Sequence, residues 1–467
     1  MTDLSGLIKS YDVRGIVGEQ LTTEIAHAIG AAFADAIVRP DGETTVALGH
    51  DMRDTGPGLA DAFVAGLNDR GVNAIRIGLC STDGLYHASG ALNLPGAMIT
   101  ASHNPAAYNG MKLCRSRARA VGENTGLADV RTLAERYVDE GVPVAEERGT
   151  DETQDMLREY GEFLRSLVPL DAIRPLKVVV DAGNAMAGYT VPAVLGTEAG
   201  LPELPLDIVP LYFELDGTFP NHEPNPLEEE NLRDLQKAVV EHGADLGLAF
   251  DGDADRCFVV DERGEVVRAS AITALVGLRE AAREDGQSTV IHNLISSRAV
   301  PELLGEAGIT AVRSRVGHSF IKAQMAEHDA IFGGEHSAHF YFRDFFYADS
   351  GMLAALHVMA ALGQQDGPLS AMLEAYDPYA ASGEINSTVT SVPEALARIK
   401  GAFGTRDGVV LDEFDGLTVT HWDDEPRWWF NVRPSGTEPL LRLNVEAATV
   451  ADMEAVRDEA LRVIREG

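Results

Sequence analysis

The sequence predicts an α/β protein: three similar α/β domains with mixed sheets and a smaller C-terminal α+β domain, all facing one cleft. Three observations carry that reading. Short β-rich runs alternate with amphipathic helical stretches through most of the chain. Glycine is plentiful, at 46 of 467 residues, while aromatics make up only 6%, which suits many tight turns better than a helical bundle. The tail breaks the pattern and holds every tryptophan, Trp422, Trp428 and Trp429. At roughly 100–200 residues per domain, this length predicts three or four domains.

In the first unit, expected over 1–152, residues 45–49 read as a strand, 58–70 as a helix and 73–78 as the next strand. Residues 97–100 form a short apolar strand that ends at Ala101, Ser102 and His103. An acid-rich pause at 148–154, with a long helix on either side, closes the unit. The second, 153–256, opens on a valine-rich buried strand at 176–181 and a glycine turn at 183–188. It closes on a strand at 245–250 that runs straight into a group of aspartates. The third, 257–366, takes a strand at 257–260, a helix after Ser270, a strand at 288–292 and a buried helix at 352–362. The fourth, 367–467, reads as alternating strands closed by a helix over 450–465. Three like units suggest duplication, but no sequence repeat stands out among them.

The formal net charge is −35. Such a field disfavours nucleic acid and anionic membranes as partners. An anionic substrate would be repelled on average, so a phosphate site requires a local concentration of Arg, Lys and backbone N–H groups. Three well-separated cysteines, Cys80, Cys114 and Cys257, fit neither a disulfide framework nor a zinc site. Residues 1–14 lack the basic-then-apolar order of a signal peptide, and 352–362 is too short to span a bilayer and is interrupted by His357. The chain is therefore expected to be soluble and cytoplasmic.

Three segments stand out chemically. In DGDADR, at 251–256, Asp251, Asp253 and Asp255 follow a buried strand and can turn toward one centre. Hard oxygen donors suit Mg²⁺ or Ca²⁺. An EF-hand is excluded by Arg256 at the loop position that needs glycine, and by strand-like flanks. Three carboxylates this close repel without a cation, which favours a metal site over a solvated acidic turn. In TASHNP, at 100–105, Ser102 sits at a strand end where it is expected to be displayed rather than buried. His103 and Lys112 are near enough in sequence to stabilise charge or move protons. This segment alone fits an ordinary turn equally well. In RPSGTE, at 433–438, Arg433, Ser435, Gly436 and Thr437 make a plausible phosphate cradle, though alone they read slightly better as a plain turn. Gly333 to Ser337 offers a carboxylate and a hydroxyl to sugar hydroxyls, or is a glycine turn. His318 is a possible proton carrier, but a lone histidine is more often structural. These signals fall one to a domain. A metal, a hydroxyl, a sugar-hydroxyl binder and a phosphate cradle around one cleft form an inventory for phosphoryl transfer.

The motifs TASHNP, DGDADR, GGEHSAH and RPSGTE, in this order and spacing, resemble the α-D-phosphohexomutase superfamily over essentially the whole chain, as does the opening from Tyr11 to Gly15. Within it, the layout is most similar to the bacterial phosphomannomutase/phosphoglucomutase branch. The resemblance implies a TATA-binding-protein-like fourth domain and a phosphorylated Ser102. It implies Mg²⁺ on Asp251, Asp253, Asp255 and a phosphoserine oxygen. It also implies interconversion of hexose 1- and 6-phosphates through a hexose 1,6-bisphosphate, which doubles as activator. Arg14, His103, Lys112, Arg256 and His318 would stabilise charge or move protons. Glu335 and Ser337 would hold sugar hydroxyls, and Arg433, Ser435, Gly436 and Thr437 the idle phosphate. Tyr11 and Arg315 would also bind substrate, Arg315 standing where relatives often carry lysine and unable to act as a proton donor at ordinary pH. The expected partners are small hexose phosphates, with the chain a monomer or homodimer. A phosphoglucosamine mutase is disfavoured because His336, Ser337 and Ala338 replace the usual Gln-Ser-Gly. Outside the family, a Mg²⁺-dependent phosphatase using an aspartyl nucleophile would make Ser102 dispensable, and a non-catalytic sensor would not need it.

Overall fold

The run Thr45–His50 has four buried residues in succession, so it must be covered on both faces. It lies at the heart of a seven-stranded sheet, parallel to Asn73–Leu79 on one side and Gly96–Ile99 on the other. Beyond Gly96–Ile99 the chain turns back and Tyr108–Arg115 pairs antiparallel. The computed structural model of the chain describes residues 2–434 and 440–466, and the side chains there except that of His318.

The same wiring recurs twice. Leu176–Asp181 runs parallel to both Leu206–Leu211 and Leu246–Phe250, and Cys257–Asp261 returns antiparallel to the latter. Thr289–Asn293 runs parallel to Thr310–Ser314 and Phe332–Gly334, and Phe340–Phe342 returns antiparallel. In each unit a central parallel strand has its third strand end in a loop that reverses the chain. Those loops are 100–107, 251–256 and 335–339, which carry three of the four motifs singled out for chemistry. The duplication that no sequence repeat reveals is therefore plain in the topology. The loops lie at the carboxyl ends of parallel strands, where open α/β sheets bind ligands.

The fourth unit is a five-stranded antiparallel sheet, ordered Ala380–Thr388, Leu440–Ala447, Trp428–Pro434, Leu417–His421, Val410–Asp412. Helices Val392–Phe403 and Val450–Arg465 cover it through Ile399, Phe403, Ala460 and Ile464.

The expected borders shift for physical reasons. The border at 256/257 falls inside the second sheet, because Cys257–Asp261 is the return strand of the hairpin whose turn is the aspartate loop. Val266–Val267 extends the same sheet. The border at 366/367 also comes too early. Leu369 and Leu373 of the helix Leu369–Leu373 are buried in the core of the second and third units, and the fourth sheet begins only at Ala380. The pause at 148–154 contains a short edge strand, Asp151–Thr153, parallel to Asn73–Leu79, so the border at 152/153 cuts through it.

Helix Gly351–Gly363 is buried along its whole length, as its apolar composition demands. It packs in one hydrophobic core shared by the second and third units, whereas the first unit has its own. Each buried Leu or Met in it contributes about 1.5–3 kcal/mol. His357, the one interruption, stacks on Phe342 at 5.4 Å and is kept neutral by burial. The three cysteines are buried and unpaired. Among the described residues, no helix is long and apolar enough to cross a membrane.

Candidate active site

Ser102 ends its strand in a left-handed conformation (φ 50°), a state that an L-residue holds only when its surroundings demand it. Its N–H donates to Thr100 Oγ1 at 2.9 Å, and its hydroxyl donates to Asp251 Oδ2 at 2.7 Å. Contrary to expectation it is almost wholly covered, at 3% exposure, because the aspartate loop of the second unit docks directly on it. That contact needs Gly252, since a Cβ there would lie 2.2 Å from the Ser102 carbonyl oxygen.

Asp251, Asp253 and Asp255 are buried and present oxygens within 4.8 Å of one another. Lys112, on the strand Tyr108–Arg115, donates to Asp253 Oδ2 at 2.6 Å and Asp255 Oδ2 at 2.5 Å. Burial and the neighbouring aspartates push the Asp251 carboxyl up to about 7 against the pull of Arg256. Burial would also raise Asp253, but the Lys112 ammonium overrides it and holds that carboxyl far below the usual range. Asp253 Oδ1 and Asp255 Oδ1 are buried without a hydrogen-bond partner among the described residues. Orphaned oxygens of this kind are what a hard cation would satisfy, so the donor set fits a divalent metal.

Arg256, itself buried, donates from Nε and an amino nitrogen to Asp251 Oδ2 at 3.0 and 2.9 Å, and to His103 Nδ1 at 2.5 Å. Guanidinium only donates, so Nδ1 of His103 is the acceptor and its proton sits on Nε2. Burial and the Arg256 charge keep that imidazole neutral. Arg14 donates to Asn104 Oδ1 and Asp12 Oδ2, both at 2.5 Å, beside the serine loop.

In the third unit, Glu335 accepts from the Gly317 N–H at 3.1 Å and from the Tyr341 hydroxyl at 2.6 Å. Ser337 Oγ lies 3.1 Å from His339 Nδ1, and the backbone of His339 bridges to that of Arg256, joining the second and third loops. His339 Nε2 is 3.7 Å from Asp255. Lys322 pairs with buried Asp349 at 2.7 Å and faces the Tyr86 ring at 4.2 Å.

Tyr11, Arg14, Ser102, His103, Lys112, Asp255, Arg256, Glu335 and Ser337 line one cleft of about 230 Å³. Asp251 and Asp253 are fully buried and do not line it. Arg315 does not line it and instead covers the Phe414 ring at 5.4 Å. Arg433 also lies off its wall, largely buried, 4.0 Å from Glu384 and with Nε unpartnered among the described residues. Burial draws its guanidinium down from the ordinary range, while Asp415 and Glu384 oppose that. Ser435, Gly436 and Thr437, and the side chain of His318, lie outside the described residues.

Several participants escaped the sequence reading. His339 stands two residues past Ser337 in a motif already singled out, so its signal was available. Thr82, which donates to Asp253 from its N–H at 2.9 Å and its hydroxyl at 2.5 Å, starts an ordinary-looking helix and gave none. Arg53 is distant in sequence from every motif, and Lys322 and Asp349 fall outside all of them.

Four family models cover the chain: phosphoglucomutase/phosphomannomutase alpha/beta/alpha domains I, II and III at residues 6–136, 158–264 and 269–379, and the C-terminal domain at 384–463. Phosphomannomutases of Salmonella montevideo and Escherichia coli strain K12 are each 40% identical over 464 residues, 98% of either chain. A crystal structure of a phosphoglucomutase/phosphomannomutase family protein from Burkholderia thailandensis superposes with a TM-score of 0.86 at 29% identity, over 100% of this chain and 99% of that one.

Proposed function

The chain belongs to the phosphoglucomutase/phosphomannomutase family, and from that premise we propose that Ser102 carries the phosphoryl group. The activity is that of a phosphomannomutase/phosphoglucomutase, an isomerase that interconverts hexose 1-phosphate and hexose 6-phosphate. The observation that carries the Ser102 assignment is its hydroxyl at 2.7 Å from Asp251, against the three-carboxylate loop and within reach of Lys112 and Arg256.

In this reading the free hydroxyl of a hexose phosphate attacks phosphoserine 102. The new P–O bond forms on the sugar as the bond to Ser102 Oγ breaks, giving a hexose 1,6-bisphosphate, and Lys112, in the same cleft, gives a proton to the departing Ser102 Oγ. His339, at the cleft between Asp255 and Glu335, takes the proton from the attacking hydroxyl. Arg14 and Lys112 offset the charge that develops on the phosphoryl oxygens, and Arg256 holds Asp251 and His103 in place. Glu335 and Ser337 orient the ring through its hydroxyls, and Arg433 anchors the phosphate that is not moving. The bisphosphate then turns end for end, and its other phosphate returns to Ser102. Asp251, Asp253, Asp255 and a phosphoserine oxygen would hold Mg²⁺, which when bound neutralises charge on the group in transit. Hexose 1,6-bisphosphate added from solution would recharge dephosphorylated enzyme. We further propose that the enzyme is cytoplasmic and works as a monomer or homodimer.

The test pairs wild type with Ser102→Ala on mannose, glucose and glucosamine 1-phosphates with catalytic bisphosphate added. Active wild type carries one phosphate by intact mass and prefers the first two sugars. The variant loses both phosphate and turnover. Near-normal turnover in Ser102→Ala removes the phosphoserine mechanism.

A further inference from the structure

Arg53 follows the central strand Thr45–His50 and does not line the cleft, yet it is one of the most deeply buried charges in the protein, at 2% exposure. Both its amino nitrogens are directed at the serine loop. One amino nitrogen donates to the Ser102 carbonyl at 2.9 Å and the Asn104 carbonyl at 2.6 Å. The other donates to the carbonyls of Pro105 at 3.0 Å and Tyr108 at 2.9 Å. Its Nε lies 3.3 Å from Asp51, which is fully buried and also accepts from the Arg53 N–H at 3.0 Å. From the second unit, the Phe219 ring faces the guanidinium at 5.0 Å, and a Cβ on Gly217 would lie 3.0 Å from the Arg53 Cα.

Four inward-turned carbonyls in one loop are unusual. A free loop exposes its carbonyls to water, and burying them unpaired is costly. Here they converge on a single planar fork with five N–H donors. An ammonium, with three donors on one atom, cannot match that geometry. The loop so held contains the left-handed Ser102, and the first carbonyl gripped is that of Ser102 itself. We propose that Arg53 is the positioning residue of this enzyme: it fixes the 102–108 loop through its carbonyls and so aims Ser102 Oγ at the aspartate loop. Phe219 and Gly217 close the space behind it, so the aim of the nucleophile depends on the first and second units staying docked. The inference rests on the reading of Ser102 as phosphoryl carrier.

Arg53→Ala should leave the substrate-holding groups of the third and fourth units intact. KM for hexose 1-phosphate then stays within about threefold of wild type, while kcat falls ~10²-fold, the scale of a nucleophile displaced by about an ångström. Amide exchange should quicken in the 101–108 segment and remain unchanged in the sheets. Guanidinium at sub-denaturing concentration should restore part of kcat where sodium chloride at equal ionic strength does not. Should Arg53→Ala be recovered unfolded, Arg53→Lys decides: it keeps charge and most of the volume but not the fork, and its kcat should fall as well. Wild-type kcat in the folded variant overturns the proposal. So does a loss of kcat with unaltered exchange at 101–108. The exchange readout needs no turnover, so it remains interpretable even if Ser102→Ala proves active and the phosphoserine reading itself fails.

Discussion

Lys112 is the native counter-charge of the aspartate loop, and removing it should make the fold depend on a metal. Its ammonium sits 2.6 Å from Asp253 and 2.5 Å from Asp255, carboxylates that are 0% and 1% exposed at their side chains. Lys112→Met keeps the aliphatic stem but strands two buried carboxylates. Breaking such a pair from one side costs about 3–5 kcal/mol, and the lower end applies because Thr82 also holds Asp253. In a domain of this size about 3 kcal/mol lowers the melting midpoint by roughly 6–12 °C. A divalent cation bound to the same carboxylates through their free oxygens replaces the lost charge, and at a hundredfold excess over Kd it returns about 2.7 kcal/mol. The variant should thus melt well below wild type in EDTA and close most of that gap in saturating MgCl2, with tighter Mg²⁺ binding than wild type. Turnover should stay ~10²-fold down even with metal, since the Lys112 donor to the moving phosphoryl group is gone. Thermal melts titrated with Mg²⁺ read the first effect and a coupled mutase assay the second. An equal gap in EDTA and in MgCl2 would mean that Lys112 and the metal do not share these carboxylates, and the reasoning fails.

Other expectations follow from single contacts. Arg433→Ala should lose about 1.5–3 kcal/mol of transition-state binding, ten- to a hundredfold in kcat/KM, and release hexose 1,6-bisphosphate during turnover. Unchanged efficiency with no free bisphosphate would take the fourth domain out of the site. Asp83, which accepts from Tyr160 at 2.8 Å and Ser350 at 2.6 Å, is held up to about 6 by burial, against about 3.9 for a free aspartate. Between those values the native state keeps a proton that the unfolded chain has lost, so this group's stabilisation falls by roughly 3 kcal/mol as pH rises from 4 to 7. Asp83→Asn should gain on wild type by that amount over the same range, and a difference between the two that does not vary with pH in urea unfolding would refute it.

The sequence displayed the reacting loops because each is a short local pattern with its own physical signature: clustered carboxylates, a hydroxyl at a strand end, an arginine before small residues. It displayed strands such as Leu176–Asp181 because valine runs buried on both faces look the same in any context. It does not display which strand pairs with which, so the expected border at 256/257 separates Cys257–Asp261 from its own sheet. The residues that aim and insulate the loops were equally hidden. Arg53 and Thr82 act by meeting carbonyls and carboxylates up to 171 positions away, and nothing in their own neighbourhood differs from an ordinary turn or helix start.

The charge of −35 and the chemistry of phosphate are compatible because the two occupy different depths. Most ion pairs on the surface join an arginine to one acid and neutralise each other in water, where they contribute little. At the cleft the arrangement differs. Arg14, Lys112 and Arg256 are shielded from solvent, and each is already held by a carboxylate: Asp12, Asp253 with Asp255, and Asp251. A buried cation without such a partner would lose its charge or move, so the acids keep the cations fixed and charged before any ligand arrives. An incoming phosphate meets preset donors in a confined space of reduced dielectric, where each contact counts for more than at the surface. The same acids leave two oxygens, Asp253 Oδ1 and Asp255 Oδ1, without a donor among the described residues. The surplus of aspartate at the site is thus what lets one loop hold its cations in place and still accept a metal. The repulsion predicted from composition acts at long range, is screened within about 8–10 Å at physiological salt, and is outweighed at contact distance.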